Sequence, residues 1–108
     1  MIELKLKNIS NKNSEFHDYS ILDAIITREG NRFCSLCLDL DIASEGDTIN
    51  DAKENLLEAI EGYIESALEF DIPLLREVPF EDNPLHADKS SVIEVFKIVC
   101  PISLEQYA

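Results

Sequence analysis

Basic residues are scarce in this chain: nine Lys and Arg stand against 22 Asp and Glu, for a formal net charge of −13 at pH 7 over 108 residues. Nucleic-acid binders draw most of their affinity from Lys and Arg on phosphates. No basic cluster interrupts the acid excess, so the chain is expected to bind neither nucleic acid nor an anionic membrane surface directly. A basic protein or a cation is what such a surface attracts, although acid also serves solubility alone. No run approaches the ~20 apolar residues of a membrane span. The opening MIELKLKNIS has no apolar h-region, so the expectation is a chain without a signal peptide, located in the cytoplasm. Its length suits one domain, residues 1–108, and 45% hydrophobic residues supply one core.

Catalytic patterns are equally sparse. There is no Gly-rich phosphate loop, no Gly-x-Ser-x-Gly elbow and no D-x-D-x-D-G calcium loop. The only histidines, His17 and His86, fall in expected loops without a neighbouring nucleophile. Three cysteines, Cys34, Cys37 and Cys100, are expected as reduced thiols. Cys34 and Cys37 form a C-x-x-C pattern, but on a strand residues three apart point to opposite faces. Their sulfurs should diverge, which argues against a zinc or redox site. Asp23 falls mid-strand among apolar residues and is the one acid where residual hydrolase chemistry is considered, with Asp39, Asp41 and Asp47 as neighbours in sequence. No cofactor and no metal are expected, and the chain is read as a non-enzyme.

Hydrophobic periodicity sets out the elements. Residues 2–7 alternate, with Ile2, Leu4 and Leu6 on one face and Glu3, Lys5 and Lys7 on the other. Residues 8–18 are polar and loop-like. Residues 19–28 make a β-branched strand, Gly30-Asn31 a two-residue hairpin turn, and residues 32–38 a returning strand. That strand places Phe33 and Cys37 on one face and Cys34, Leu36 and Leu38 on the other, as a central strand covered on both sides would. Residues 41–44 add a short strand. Thr48 caps a helix that runs to about Phe70, where Pro73 ends it. Residues 71–91 are expected to be an irregular connection. Residues 92–99 form a last strand, with Val92, Glu94, Phe96 and Ile98 on one face. The order β-β-β-(β)-α-β is an α+β fold: an antiparallel-rich sheet with one long helix on one face.

On a helical wheel, Ala52, Leu56, Ala59, Ile60, Tyr63, Ala67 and Phe70 form the stripe that packs on the sheet. Leu57, Ile64 and Leu68 widen the apolar arc beyond what one small sheet covers. Either the segment Pro73-Leu74-Leu75 folds back over them or a second copy does, which makes these three the candidate oligomer contacts. The opposite face is acidic: Asp51, Glu54, Glu58, Glu61, Glu65 and Glu69, with only Lys53 near enough to relieve it. Like charges four apart cost a few tenths of a kcal/mol per pair, so this face is either simply solvated or the footprint of a basic partner. Gly62 within the helix costs about 1 kcal/mol relative to Ala.

The run Phe33-Cys34-Ser35-Leu36-Cys37-Leu38-Asp39-Leu40-Asp41-Ile42-Ala43-Ser44-Glu45-Gly46-Asp47-Thr48, with its aromatic-led strand, LDIAS turn and helix-opening GDT, resembles the HicB-like antitoxin family. The helix from Ile49 to Glu65 continues the likeness, which spans residues 19–70. Leu38 stands where many members have Pro. The resemblance implies a partial RNase-H-like fold without the nuclease active site. It also implies a role in binding and masking a small basic mRNA-cleaving toxin of the HicA type, and assembly as a dimer or larger oligomer. Many members add a C-terminal DNA-binding segment, but nothing after residue 71 has that character. The expected function is therefore an antitoxin-like binding module, with Asp39, Asp41, Glu45, Asp47, Glu54, Glu58, Glu61 and Glu65 as candidate partner-binding residues. The alternative is a stand-alone oligomerising scaffold of the same fold with no toxin partner.

Overall fold

The computed structural model describes residues 2–6 and 19–104. The expected loop at residues 8–18, Lys7 and His17 lie outside them. The fold is α+β: a five-stranded sheet on which one long helix packs. Its elements are β1 (Ile2–Glu3), β2 (Ser20–Glu29), β3 (Arg32–Cys37), β4 (Ile42–Gly46), α1 (Ile49–Glu69), a short helix α2 (Pro84–Ala87) and β5 (Val92–Cys100). The sheet order is β1-β5-β2-β3-β4. β2, β3, β4 and β5 pair antiparallel, and β1 joins the edge parallel to β5.

The hairpin forms where Gly30 and Asn31 place it. Gly30 takes φ +60°, the left-handed value that a two-residue turn with Gly first requires. Glu29 and Arg32 then pair across it. Among the described residues of the expected first strand, Ile2 and Glu3 pair as strand with β5, and Leu4 continues inward with its N–H donating to Val99 O at 2.9 Å.

Helix α1 starts at the expected cap, with Thr48 Oγ1 accepting the Asp51 N–H at 3.0 Å. Its sheet-facing side buries Ala52, Leu56, Ile60, Ile64 and Ala67. Two expectations for this helix need correction. Phe70 is not on the packed stripe: it is the C-cap residue and 67% exposed. The helix also turns before Pro73 acts, because Asp71 takes φ 54° and the Ile72 N–H bonds back to Ala67 O at 2.9 Å.

The segment after the helix folds back. Leu74 is completely buried in the helix-side core, and the Tyr63 hydroxyl lies 3.2 Å from Pro73 O and 3.3 Å from Leu74 O. A side chain such as Leu74, wholly withdrawn from water, contributes about 1.5–3 kcal/mol. Ile102 and Leu104 close the same core from the other end, with Ser20 Oγ donating to Ile102 O at 3.0 Å and accepting the Leu104 N–H at 2.8 Å. Residues 71–91 are more regular than expected, since they hold α2 and two 3₁₀ turns.

Both sheet faces carry a core. The larger contains Leu22, Ala24, Ile26, Cys37, Phe96 and Ile98 under the helix. The smaller, on the opposite face, packs Ile25, Leu38 and Val78 with Leu36, Leu85 and Val92. That is why β3 is apolar on both sides. Val92 was expected beside Glu94 and Phe96. A register shift between Ile26 and Thr27 pairs Val92 with Thr27 and Glu94 with Ile26. One inserted residue reverses the face of everything beyond it, so Val92 joins the smaller core.

Candidate functional site

Two of the acids expected to receive a partner lie together on the exposed side of α1. Glu54 and Glu58 are exposed one turn apart, with Asp51 beside them. Lys53 could have neutralised this face from within. It instead reaches across to an ion pair with Glu94 on β5, its ammonium 5.0 Å from the centre of the Phe96 ring. Attraction to the ring and to a carboxylate outside the helix holds that charge away from the acid stripe. Asp51 profits from the positive end of the helix dipole; Glu58 is too far along to share it.

Glu61 has a structural task. Its Oε2 accepts the Lys5 N–H at 2.6 Å, so it ties the N-terminal segment to the helix. Glu65 is half-buried and also engaged.

The remaining candidate acids stand at opposite ends of the β3–β4 hairpin. At the helix-entry end, Arg32 lies 3.5 Å from Glu45 and 3.7 Å from Asp47. At the other end, Asp39 and Asp41 form the turn into β4. Asp41 takes φ 53° and lies 3.9 Å from Arg76. Asp39 Oδ2 accepts the Asp23 N–H at 2.7 Å, while the Leu38 N–H donates to Asp23 O at 2.8 Å. Burial holds the Asp39 carboxyl above the usual aspartate range, with Asp23 and Glu77 adding to the effect against the opposing Asp23 N–H and Lys97. The eight candidates therefore form three groups rather than one patch, and among the described residues Glu54 and Glu58 of the helix group stand exposed with no ion pair.

The candidate oligomer contacts also divide. Ile64 is fully buried within the chain, while Leu57 and Leu68 are half-buried against the same core. Sequence reasoning missed the intramolecular partners of Glu45, Asp47, Asp41 and Glu61, because each lies on an element remote in sequence.

Asp23 lies in register with Lys97 on β5 and forms an ion pair with it. Cys34 and Cys37 do face opposite ways. Cys37 is buried under the helix, where burial pushes its thiol up to about 12. Cys34 donates to Glu29 Oε2 at 3.1 Å, and that bond raises its pKa. Among the described residues no three His, Cys, Asp or Glu side chains converge as metal ligands, and no helix is long and apolar enough to cross a membrane. His86 stacks on Phe80 with ring centres 4.1 Å apart. Comparison with protein families, with curated proteins and with solved structures finds no match for this chain.

Proposed function

We propose that this chain is a cytoplasmic, antitoxin-like binding module that masks a small basic protein, of the HicA mRNA-cleaving type that the HicB-like resemblance implies, and that it performs no catalysis of its own. The observation that carries the reading is the fate of Lys53. With its ammonium drawn to Glu94 and Phe96, the outer side of α1 presents Asp51, Glu54 and Glu58 exposed, with no ion pair to them among the described residues. A basic surface laid along the helix would relieve the repulsion between acids four residues apart and would be steered there by the field of the whole chain. The resemblance supports the same direction through its partial RNase-H-like fold. Asp23, the acid considered for hydrolysis, is occupied by Lys97.

Co-purification of the tagged chain at low salt, followed by a rising salt wash, tests the reading. A small basic protein should elute as salt screens the contact. Glu54→Lys with Glu58→Lys should weaken its retention about tenfold, corresponding to ~1.4 kcal/mol, with the circular dichroism melt unchanged. Glu61 is left intact because its reversal would release the Lys5 N–H. Retention indifferent to both substitutions, or recovery of the self-associated chain alone at every salt concentration, would overturn the proposal.

A further inference from the structure

We propose that β4 is an open docking edge, which takes an extended, Lys- or Arg-bearing segment of another protein as a further strand of the five-stranded sheet. The inference concerns the backbone of β4 and stands whether or not the protein masks a toxin.

The register fixes which way each backbone group of β3 and β4 points. Glu29 and Arg32 close the two-residue turn, so they exchange both of their hydrogen bonds. Alternation along the ladder then turns the N–H and C=O of Arg32, Cys34 and Leu36 toward β2, and those of Phe33, Ser35 and Cys37 toward β4. The Leu38 N–H bond to Asp23 O and the Asp41 N–H bond to Cys37 O agree with these directions. Ile42, Ser44 and Gly46 stand opposite Cys37, Ser35 and Phe33, so they hold β4 to β3. Ala43 and Glu45 therefore aim their N–H and C=O away from β3. β4 is the last strand of the sheet, and both residues are exposed. The Asn55 side chain donates to Glu45 O at 2.8 Å. Among the described residues nothing bonds the other three groups: the Ala43 N–H, Ala43 O and the Glu45 N–H.

An unpaired row of this kind is a template for strand addition. Proteins close such edges with Pro, with a bulge or with a covering segment. β4 contains no Pro, its pairing with β3 runs in continuous register, and Asn55 covers one outward group. What guards the rest is charge of one sign. Glu45 and Asp47 share Arg32 between them. The Asn55 bond also brings the exposed side of α1 alongside the edge, with Asp51 and Glu58 one turn to either side of Asn55. This charge selects the occupant. A second copy pairing through the same edge would set these acids against its own, and like charges brought together oppose the contact. An extended segment with Lys or Arg at alternate positions meets them with opposite charge, while its backbone takes up the three free groups.

Fluorescence anisotropy of the full chain with a labelled, end-capped peptide of alternating Lys and Thr tests this. The peptide should bind. The same sequence with alternate backbone N–H groups methylated has equal charge but cannot pair, and should bind about tenfold more weakly or worse. Ala43→Pro removes an outward N–H without touching a bond to β3, and should weaken the unmethylated peptide about tenfold, with circular dichroism showing the variant folded. Hydrogen exchange gives a readout on the wild type alone. The Ala43 and Glu45 amides should exchange freely, the Ser44 amide slowly, and the peptide should protect the first two. A peptide that does not bind, equal affinity for the two peptides, affinity indifferent to a folded Ala43→Pro, or exchange at Ala43 and Glu45 unmoved by the peptide would overturn the proposal. So would protection of these amides in the protein alone that disappears on dilution, which would assign the edge to a second copy.

Discussion

Replacing Gly46 by Ala should destabilise the domain, and the geometry sets the size of the effect. Gly46 ends β4 directly beneath the first turn of α1. A Cβ built there would lie 2.5 Å from Ala52 N and 2.6 Å from Asp51 Cβ. Comfortable contacts between heavy atoms begin at about 3.5 Å, so strand and helix would have to part by about 1 Å. Two bonds resist the parting: Thr48 Oγ1 to the Asp51 N–H at 3.0 Å, and Ser35 Oγ donating to Ala52 O at 2.8 Å. Ser35 is buried, so losing its acceptor adds a desolvation cost. Overpacking of this kind costs about 1–3 kcal/mol. Gly30 is the glycine with positive φ; Gly46 is not in that region, so Ala meets no backbone strain there. It recovers about 0.4–1 kcal/mol by restricting the unfolded chain. A net loss of about 1–2 kcal/mol is expected, a sizeable part of the ~5–15 kcal/mol that holds a domain together. Urea unfolding followed by far-UV circular dichroism measures it. Gly62→Ala is the control: a Cβ there meets nothing within 4 Å, so the helix should gain about 0.5–1 kcal/mol. A Gly46→Ala protein as stable as wild type would refute the close seating of the helix start on β4.

Two further outcomes follow from the titrating groups. Asp39 has a folded-state pKa raised above its ordinary 3.8, so the folded protein binds that proton more tightly than the unfolded chain. Its contribution to stability is therefore fully present below the ordinary value and lost as pH rises through the raised one. Asp39→Asn keeps an oxygen for the Asp23 N–H but removes the charge; it should be more stable than wild type at neutral pH, with the gap closing as the solution is acidified. A gap that widens on acidification would contradict the burial argument. In thiol titration of the native protein, Cys34 should react alone and slowly, because Glu29 disfavours its thiolate, while Cys37 and Cys100 are buried. Rapid modification of Cys37 would show that the helix-side core opens readily.

Local chemistry determined most of the elements. The alternation in β2 and β5, the Gly30-Asn31 turn, the Thr48 cap and the 3.6-residue apolar repeat of α1 act over a few residues, so they were legible without knowing what lay opposite. The two apolar faces of β3 likewise announced cover on both sides. The scarcity of bases pointed to the acid face of α1 for the same reason, since Asp51, Glu54 and Glu58 are brought together by the helix itself.

Tertiary structure decided whatever depends on partners distant in sequence. The bulge opposite Ile26 and Thr27 sent Val92 to the other face, and a one-residue slip leaves no trace in periodicity. Fold-back of Pro73 and Leu74 supplied the cover beside α1 and left Phe70 in solvent. Counterions came from remote elements: Arg32 for Glu45 and Asp47, Glu94 for Lys53, Lys97 for Asp23. The sequence by itself thus determined the α+β elements, their order and the sign of the surface, because these arise from short-range sterics and composition. Which acids find a counterion, and what covers each sheet face, emerged only when long-range pairing spent the few bases and apolar segments available.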